Sequence, residues 1–352
     1  MPDKILAVWM AFIGLHLLSF FLHYLGYWTK YPHLVGIHQP FPLIYGPLLF
    51  LYTSYSLRPD QRFLTKDLLH FLPFLISYLY MSPFLFGYSA EQKRMSDQMG
   101  DFDPGFQAYF MISLVALIIS GILYPILSYR LIKQYRRLID ENFAYKDRIN
   151  LNWLQLFIMG IFSVYVVVAV ISLLKWGLSV DFGFDPSYIF FVLIVLFVLF
   201  LGYFGIRQQD IFANPATAKE IVEPKSKSEY QNSGLKEDDA KVLQNRLRRL
   251  MEEKKPYLEP KLTLAGLANQ LDVSVNYLSQ TINQYEGKNF YDFVNEYRVN
   301  EFIQAIKIPA NKNYNILGLA FDAGFNSKSS FNQIFKKQTG KTPSEFIREN
   351  PS

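Results

Sequence analysis

The ring nitrogens of His16, His23, His38 and His70 are the first groups to weigh for chemistry in this 352-residue chain. His16 and His23 stand seven apart, which puts them on one helix face two turns and ~10 Å apart. A single metal ion on a helix needs ligands three or four residues apart, so these two do not form a metal pair. The runs around the histidines contain no Asp, Glu, Lys or Arg, so a proton or ion pathway has no partners there. The expected role is a polar ring packed against a neighbouring helix. The chain has no cysteine, which excludes a thiol nucleophile, a zinc ribbon and a disulfide framework. The apolar runs offer no paired carboxylates, no Ser/His/Asp set and no glycine loop to cradle phosphate. No catalytic, cofactor or metal site is expected. What remains is hydrogen-bonding chemistry, the amides, hydroxyls and lysines of the last hundred residues.

The elements that must carry these groups fall into two classes. Residues 1–210 hold 28 charged side chains and residues 211–352 hold 37, so two different solvents are implied. Six runs in the first part lack any charge: Ile5–Thr29, Tyr31–Leu57, Leu68–Ala90, Pro104–Tyr129, Ile149–Leu174 and Pro186–Ile206. A bilayer core of ~30 Å needs roughly 20 apolar residues at the helical rise. Six such runs predict a six-helix transmembrane bundle. The first run is too long, and too poor in flanking basic and small residues, to be a cleaved signal peptide. Lys and Arg concentrate in the breaks at 58–66 and 130–148, while the loops at 26–36, 91–103 and 176–187 are poor in them or acidic. That alternation predicts a multi-pass protein of the cell membrane with both termini cytoplasmic.

Helix breakers punctuate the second run at Gly36, Pro40, Pro42, Gly46 and Pro47. Either this stretch is an irregular segment lining a ligand cavity, or it is a kinked packing helix. Beyond the sixth run, 208–237 turns polar, with Pro215, Pro224 and Lys225-Ser226-Lys227-Ser228, and reads as a flexible linker between a domain at 1–207 and one at 238–352. Asp238–Lys255 then reads as a helix with Leu243, Leu247, Leu250 and Met251 in one apolar stripe, and Pro256 stops it. The stripe either packs on the domain that follows or pairs with a second copy, making a homodimer whose rearrangement would couple the membrane part to the rest.

Residues 263–293 and 315–346 repeat one another at an offset of 52–53. Leu267-Ala268 answers Leu319-Ala320, Leu278 answers Phe331, Ile282 answers Phe335, and Gly287-Lys288 answers Gly340-Lys341. Each copy reads as helix, tight turn, helix. Asp272 and Gly324 occupy the turns, and Ser274 and Ser327 cap the second helices. Between the copies, Asn289–Lys307 reads as one long amphipathic helix.

Two such units joined by one helix and closed by Gly340-Lys341-Thr342-Pro343-Ser344-Glu345-Phe346 resemble the DNA-binding domain of AraC-type transcription regulators. The resemblance covers about 238–349. It rests on Gly324-Phe325-Asn326-Ser327, on Phe331…Phe335-Lys336-Lys337 and on the tail from Thr339 to Phe346. More loosely, Gln39-Pro40-Phe41-Pro42-Leu43-Ile44-Tyr45-Gly46-Pro47 resembles the membrane part attached to some regulators of this type, which often has seven spans and an outer N-terminus; a count of six would fit a chain that starts one helix later.

The implied fold is all-α, a six-helix transmembrane bundle followed by a cytoplasmic double helix-turn-helix domain. The implied partner is double-stranded DNA, and the implied activity is sequence-specific transcription regulation with sensing of an unknown signal ligand by the spans. On that resemblance Asn276, Ser279 and Gln280 in the first copy and Lys328, Ser329 and Gln333 in the second fall at base-reading positions, where amides can pair bidentately with adenine. Lys288, Lys336, Lys337 and Lys341, with helix N-termini, would hold phosphates. Neither recognition helix contains Arg, and 256–352 carries 10 basic against 9 acidic residues, so affinity per domain is expected to be modest. The reading from another class is a membrane transporter or enzyme with a regulatory DNA-binding tail.

Overall fold

The computed structural model describes residues 1–58, 62–99, 104–145, 151–184, 187–207, 237–311 and 314–349. Most of the polar stretch expected as a linker, 208–236, lies outside the described residues. Among those described, the regular structure is helical throughout, with an isolated antiparallel bridge between Phe143 and Thr263. The chain divides into two compact units. One is Met1–Lys133 with Leu151–Asp210; the other is Gln134–Asn150 with Ile211–Ser352.

The first unit is built from α1 (Pro2–Tyr24), α2 (Tyr27–Lys30), α3 (Pro42–Ser56), α4 (Leu72–Gly87), α5 (Ala90–Met99), α6 (Pro104–Asn142), α7 (Asn152–Ser172) and α8 (Ser187–Arg207). The last turns of α6 belong to the second unit. Among the described residues, four stretches are long and apolar enough to cross a membrane: Pro2–Tyr24, Thr65–Gly87, Met111–Asn142 and Asn152–Lys175. Four of the six expected runs thus correspond to such stretches, and two differ. Tyr31–Leu57 yields only α3, whose 15 residues reach ~22 Å. Its earlier part cannot join the helix, because Gly36 at φ +85° and the prolines at 32, 40 and 42 hold it in turns and a 3-10 segment. In Pro186–Ile206 the described apolar stretch is the shorter Tyr188–Phe200.

Helix α3 is buried on every face from Leu43 to Leu49 and from Leu51 to Ser56, which makes it the centre of this unit. It can sit there because Gly46 lets α6 approach closely: a Cβ on Gly46 would lie 2.4 Å from Ser120 Oγ and 2.6 Å from the Tyr124 ring. His16 packs as expected of a structural histidine, buried on α1 with Nδ1 2.8 Å from the Tyr45 hydroxyl. The stretch Gly36–Pro47 is irregular to Phe41 and helical from Pro42, with Pro47 inside the helix.

The second unit holds α9 (Glu237–Glu253), α10 (Leu264–Leu271), α11 (Val275–Thr281, continued by a π turn Ile282–Glu286), α12 (Phe290–Ile306), α13 (Ile316–Asp322), α14 (Lys328–Thr339) and α15 (Pro343–Glu349). Polar caps start these helices where the sequence places them. Thr263 Oγ1 accepts from Gly266 N, Ser274 Oγ from Tyr277 N, Asn289 Oδ1 from Asp292 N and Ser327 Oγ from Ser330 N. Thr342 and Glu345 cap α15 reciprocally.

Candidate nucleic-acid interface

Helix α12 is the spine of the second unit. Phe290, Phe293 and Val294 join one core with Leu264, Leu267, Ala268, Leu278 and Ile282. Val299 and Phe302 join another with Leu319, Ala320, Phe325, Phe331 and Phe335. Each two-helix repeat thus has its own core, and a single helix joins the two.

The stripe of α9 enters the first of these cores. Leu243, Leu247 and Met251 are buried against α10–α12, and Leu250 lies at the rim of burial. The idea that this stripe pairs two chains is therefore corrected, because its apolar surface is consumed within the unit. Gln244 and Arg248 of α9 reach Glu286 at the end of the first repeat, at 3.0 Å each. Burial tends to raise the Glu286 carboxyl, but those hydrogen bonds and the Arg248 charge outweigh it and hold it below the ordinary carboxylate range.

On α14, Phe331, Ile334 and Phe335 turn inward, and Lys328, Ser329, Asn332, Gln333, Lys336 and Lys337 are exposed. The outward set recurs every three to four residues, so it forms one continuous face. Lys328, Ser329 and Gln333 are brought together on it as expected. Asn332 was not singled out from sequence; the same spacing from Ser329 to Lys336 passes through it. The hydroxyls of Ser327 and Ser329 lie 3.1 Å apart at the start of this helix.

The first repeat presents less. Asn276 and Gln280 are half-buried, while Ser279 is buried, its Oγ accepting from Asn283 Nδ2 at 3.4 Å. Exposure of Ser279 is corrected: it lies one residue beyond the core residue Leu278 and is buried with it. Asn283 and Gln284, which lie further along in the π turn and carry no expectation from the sequence, are exposed.

Three of the four expected phosphate contacts are occupied by carboxylates. Lys288 pairs with Glu296 at 2.5 Å, Lys337 with Asp292 at 2.7 Å, and Lys341 with Glu349. Such exposed pairs are worth ~0–1 kcal/mol, so a phosphate can displace them. Lys336 is exposed.

Behind these helices, Gly324 makes the second turn at φ +93°. A Cβ there would lie 2.4 Å from Tyr257 O and 3.0 Å from Arg298 Nε. Only glycine fits. The turn is thereby pressed onto the segment that follows α9, and Asn326 Nδ2 donates to Pro260 O at 2.9 Å.

A helix-turn-helix domain family model matches residues 267–349 of this chain. The transcriptional regulatory protein HptR of Staphylococcus aureus (strain NCTC 8325 / PS 47) is 25% identical over 134 residues, 38% of this chain and 47% of that protein. An uncharacterized response regulatory protein of Staphylococcus epidermidis is 25% identical over 101 residues, 29% of this chain and 39% of that protein. The match thus spans less than half the length of these curated relatives. No solved structure matches.

Proposed function

We propose that the chain is a membrane-embedded transcription regulator of the AraC type that reads DNA sequence with α11 and α14; the helix-turn-helix match over residues 267–349 supports this reading. The observation that carries this reading is the face of α14. It offers two amides, a hydroxyl and three lysines on one side of a helix whose other side is buried. A helix of this size enters the major groove, where amides read adenine and lysines reach phosphate or guanine. Asn276, Gln280 and Asn283 take the equivalent role on α11. Ser279 reads a base only if Asn283 swings away.

The membrane part of the proposal is supported by the four long apolar stretches and by what they leave uncovered. Leu75, Ile76, Leu79 and Phe86 of α4 and Met111, Ile112, Val115 and Ile119 of α6 are exposed, a surface that water would not tolerate and lipid would cover. Six crossings remain the proposed topology. Short α3 completes its crossing through the irregular stretch before it, where Val35, His38 and Phe41 are buried inside protein. Irregular backbone at membrane depth needs such cover. Both termini then face the cytoplasm. An apolar pocket of about 50 Å³ between α1, α3, α6, α7 and α8, walled by Trp9, Ile13, Tyr45, Tyr165, Phe190 and Phe197, is where the spans would take up a small signal ligand.

The test is selection of duplexes from a random library by the full chain in lipid nanodiscs. One enriched motif is expected. Gln333→Ala should relax discrimination at one base pair by ~1–3 kcal/mol. Lys336→Ala should weaken all duplexes alike and reduce the salt slope by about one. Binding without sequence preference would refute the proposal.

A further inference from the structure

A segment from between two of the apolar runs is built into the second unit. Helix α6 runs without interruption from Pro104 to Asn142, and from Gln134 onward it and the residues that follow it to Tyr145 belong to that unit. Phe143 and Ala144, the two residues after α6, are fully buried. Phe143 forms the antiparallel bridge with Thr263, and Ala144 N donates to Leu262 O at 3.2 Å. Thr263 is also the cap of α10, so this end of the strap touches the first helix of the first repeat.

The other end of the strap is held by Arg298. This buried guanidinium on α12 donates from Nη1 to Ala144 O at 2.9 Å, from Nε to Tyr257 O at 2.8 Å and from Nη2 to Glu259 O at 2.7 Å. Asn295 Nδ2 donates to the same Ala144 oxygen at 3.2 Å, and Asn295 Oδ1 accepts from Arg298 Nη1 at 3.3 Å. Tyr257 O and Arg298 Nε are also the atoms against which Gly324 closes the second turn. A buried guanidinium that loses an acceptor carries a large desolvation cost, so its acceptors are held tightly. One small hub therefore ties Ala144, the spine helix and the turn of the second repeat together.

We propose that Phe143–Ala144 is a coupling strap through which displacement of α6 reaches both helix-turn-helix units. The proposal rests on the reading of the second unit as the DNA-binding part. The strap is covalently continuous with α6, and it enters the core of the second unit. A small rotation or shift of α6 pulls on Thr263 at the start of the first repeat and on Arg298 behind the second, and so changes the spacing of α11 and α14. DNA half-sites sense that spacing directly.

The test is a double-variant cycle on the full chain in nanodiscs of phosphatidylethanolamine and phosphatidylglycerol. One alanine inserted between Lys133 and Gln134 rotates the end of α6 by ~100° and advances it by ~1.5 Å. Hydrogen exchange is read at residues 263–267 and 319–325, with no DNA present. The insertion is expected to change exchange at both sites at least fivefold with the native strap, and less than twofold further in a Phe143→Ser background. Ten flexible residues added within 208–236 should change it less than twofold. An insertion without effect, or with equal effect in both backgrounds, overturns the proposal. Should Phe143→Ser abolish protection across the whole unit, Phe143→Leu replaces it in the same cycle, and equal insertion effects again overturn. Affinity for a duplex selected by the native chain is measured in parallel. If no duplex is selected the DNA reading falls, and the exchange cycle still decides the strap.

Discussion

Replacing Gly324 by alanine tests the geometry of the second turn most directly. At φ +93° a non-glycine residue costs ~1–2 kcal/mol in backbone strain alone. The added Cβ would also sit 2.4 Å from Tyr257 O, at least ~0.6 Å closer than real contacts allow, so backbone must move. That oxygen is the acceptor of Arg298 Nε at 2.8 Å, and displacing it weakens a charged hydrogen bond worth ~1.5–3 kcal/mol. The sum is ~3–5 kcal/mol, a large part of a domain's ~5–15 kcal/mol. The assay is amide exchange at Phe325, whose N–H donates to Ala320 O at 3.1 Å and closes the turn. Exchange should accelerate by at least ~100-fold, since ~1.4 kcal/mol is a factor of ten. Gly318→Ala, in the middle of α13 with open space around its Cβ, is the matched control and should leave protection equal or slightly higher. If the two variants behave alike, Gly324 is not pressed against the Arg298 hub and the account of the turn is wrong.

Replacing Leu243 and Leu250 together by Ser should lower the unfolding midpoint of the second unit by a cost of ~3 kcal/mol or more, because both side chains are buried in its first core; a loss of self-association with an unchanged midpoint would restore the stripe as a dimer contact. Asp292→Asn should free Lys337 and raise affinity for every duplex, steepening the salt slope by up to about one; an unchanged slope in fluorescence anisotropy titrations would show that Lys337 does not reach phosphate. Glu286 is held below its ordinary pKa in the folded state, so its contribution is present above pH ~4.5 and is lost as pH falls through the lowered value; Glu286→Gln should flatten the acid side of the stability profile, and an identical profile would show that the Arg248 contact is not felt.

Much of the second unit was legible because helix-turn-helix units advertise themselves through side chains. The caps Ser274 and Ser327, the turn residues Asp272 and Gly324, and the spine bounded by Asn289 and Lys307 all stand where spacing put them. The apolar stripe of α9 was legible as a stripe, but periodicity says only that a face is buried and never against what. Run two departs from a single long helix for a related reason. Freedom from charge marks lipid or protein cover alike, and α3 is covered by protein on nearly all its length. Ser279 was misplaced because the outward face of a seven-residue helix is narrow, and one position of error carries a side chain from surface to core.

What could not be read at all is the chemistry of carbonyls. Arg298 counts in the sequence as one more basic residue of a candidate DNA binder, yet it never reaches the surface. Its acceptors are the main-chain oxygens of Ala144, Tyr257 and Glu259, which carry no signature of residue type. The strap was hidden in the same way: Phe143 and Ala144 fall within a basic stretch that reads as a loop, 154 positions from the arginine that holds them. Both omissions bear on function in one direction. An interface made of surface amides can be inferred from pattern, because DNA meets side chains. A coupling path made of backbone is invisible to pattern and is found only where a buried charge must be accounted for, acceptor by acceptor. The guanidinium of Arg298 demands that accounting. Its answer joins α6, the cap of the first repeat and the turn of the second in one hydrogen-bonded cluster.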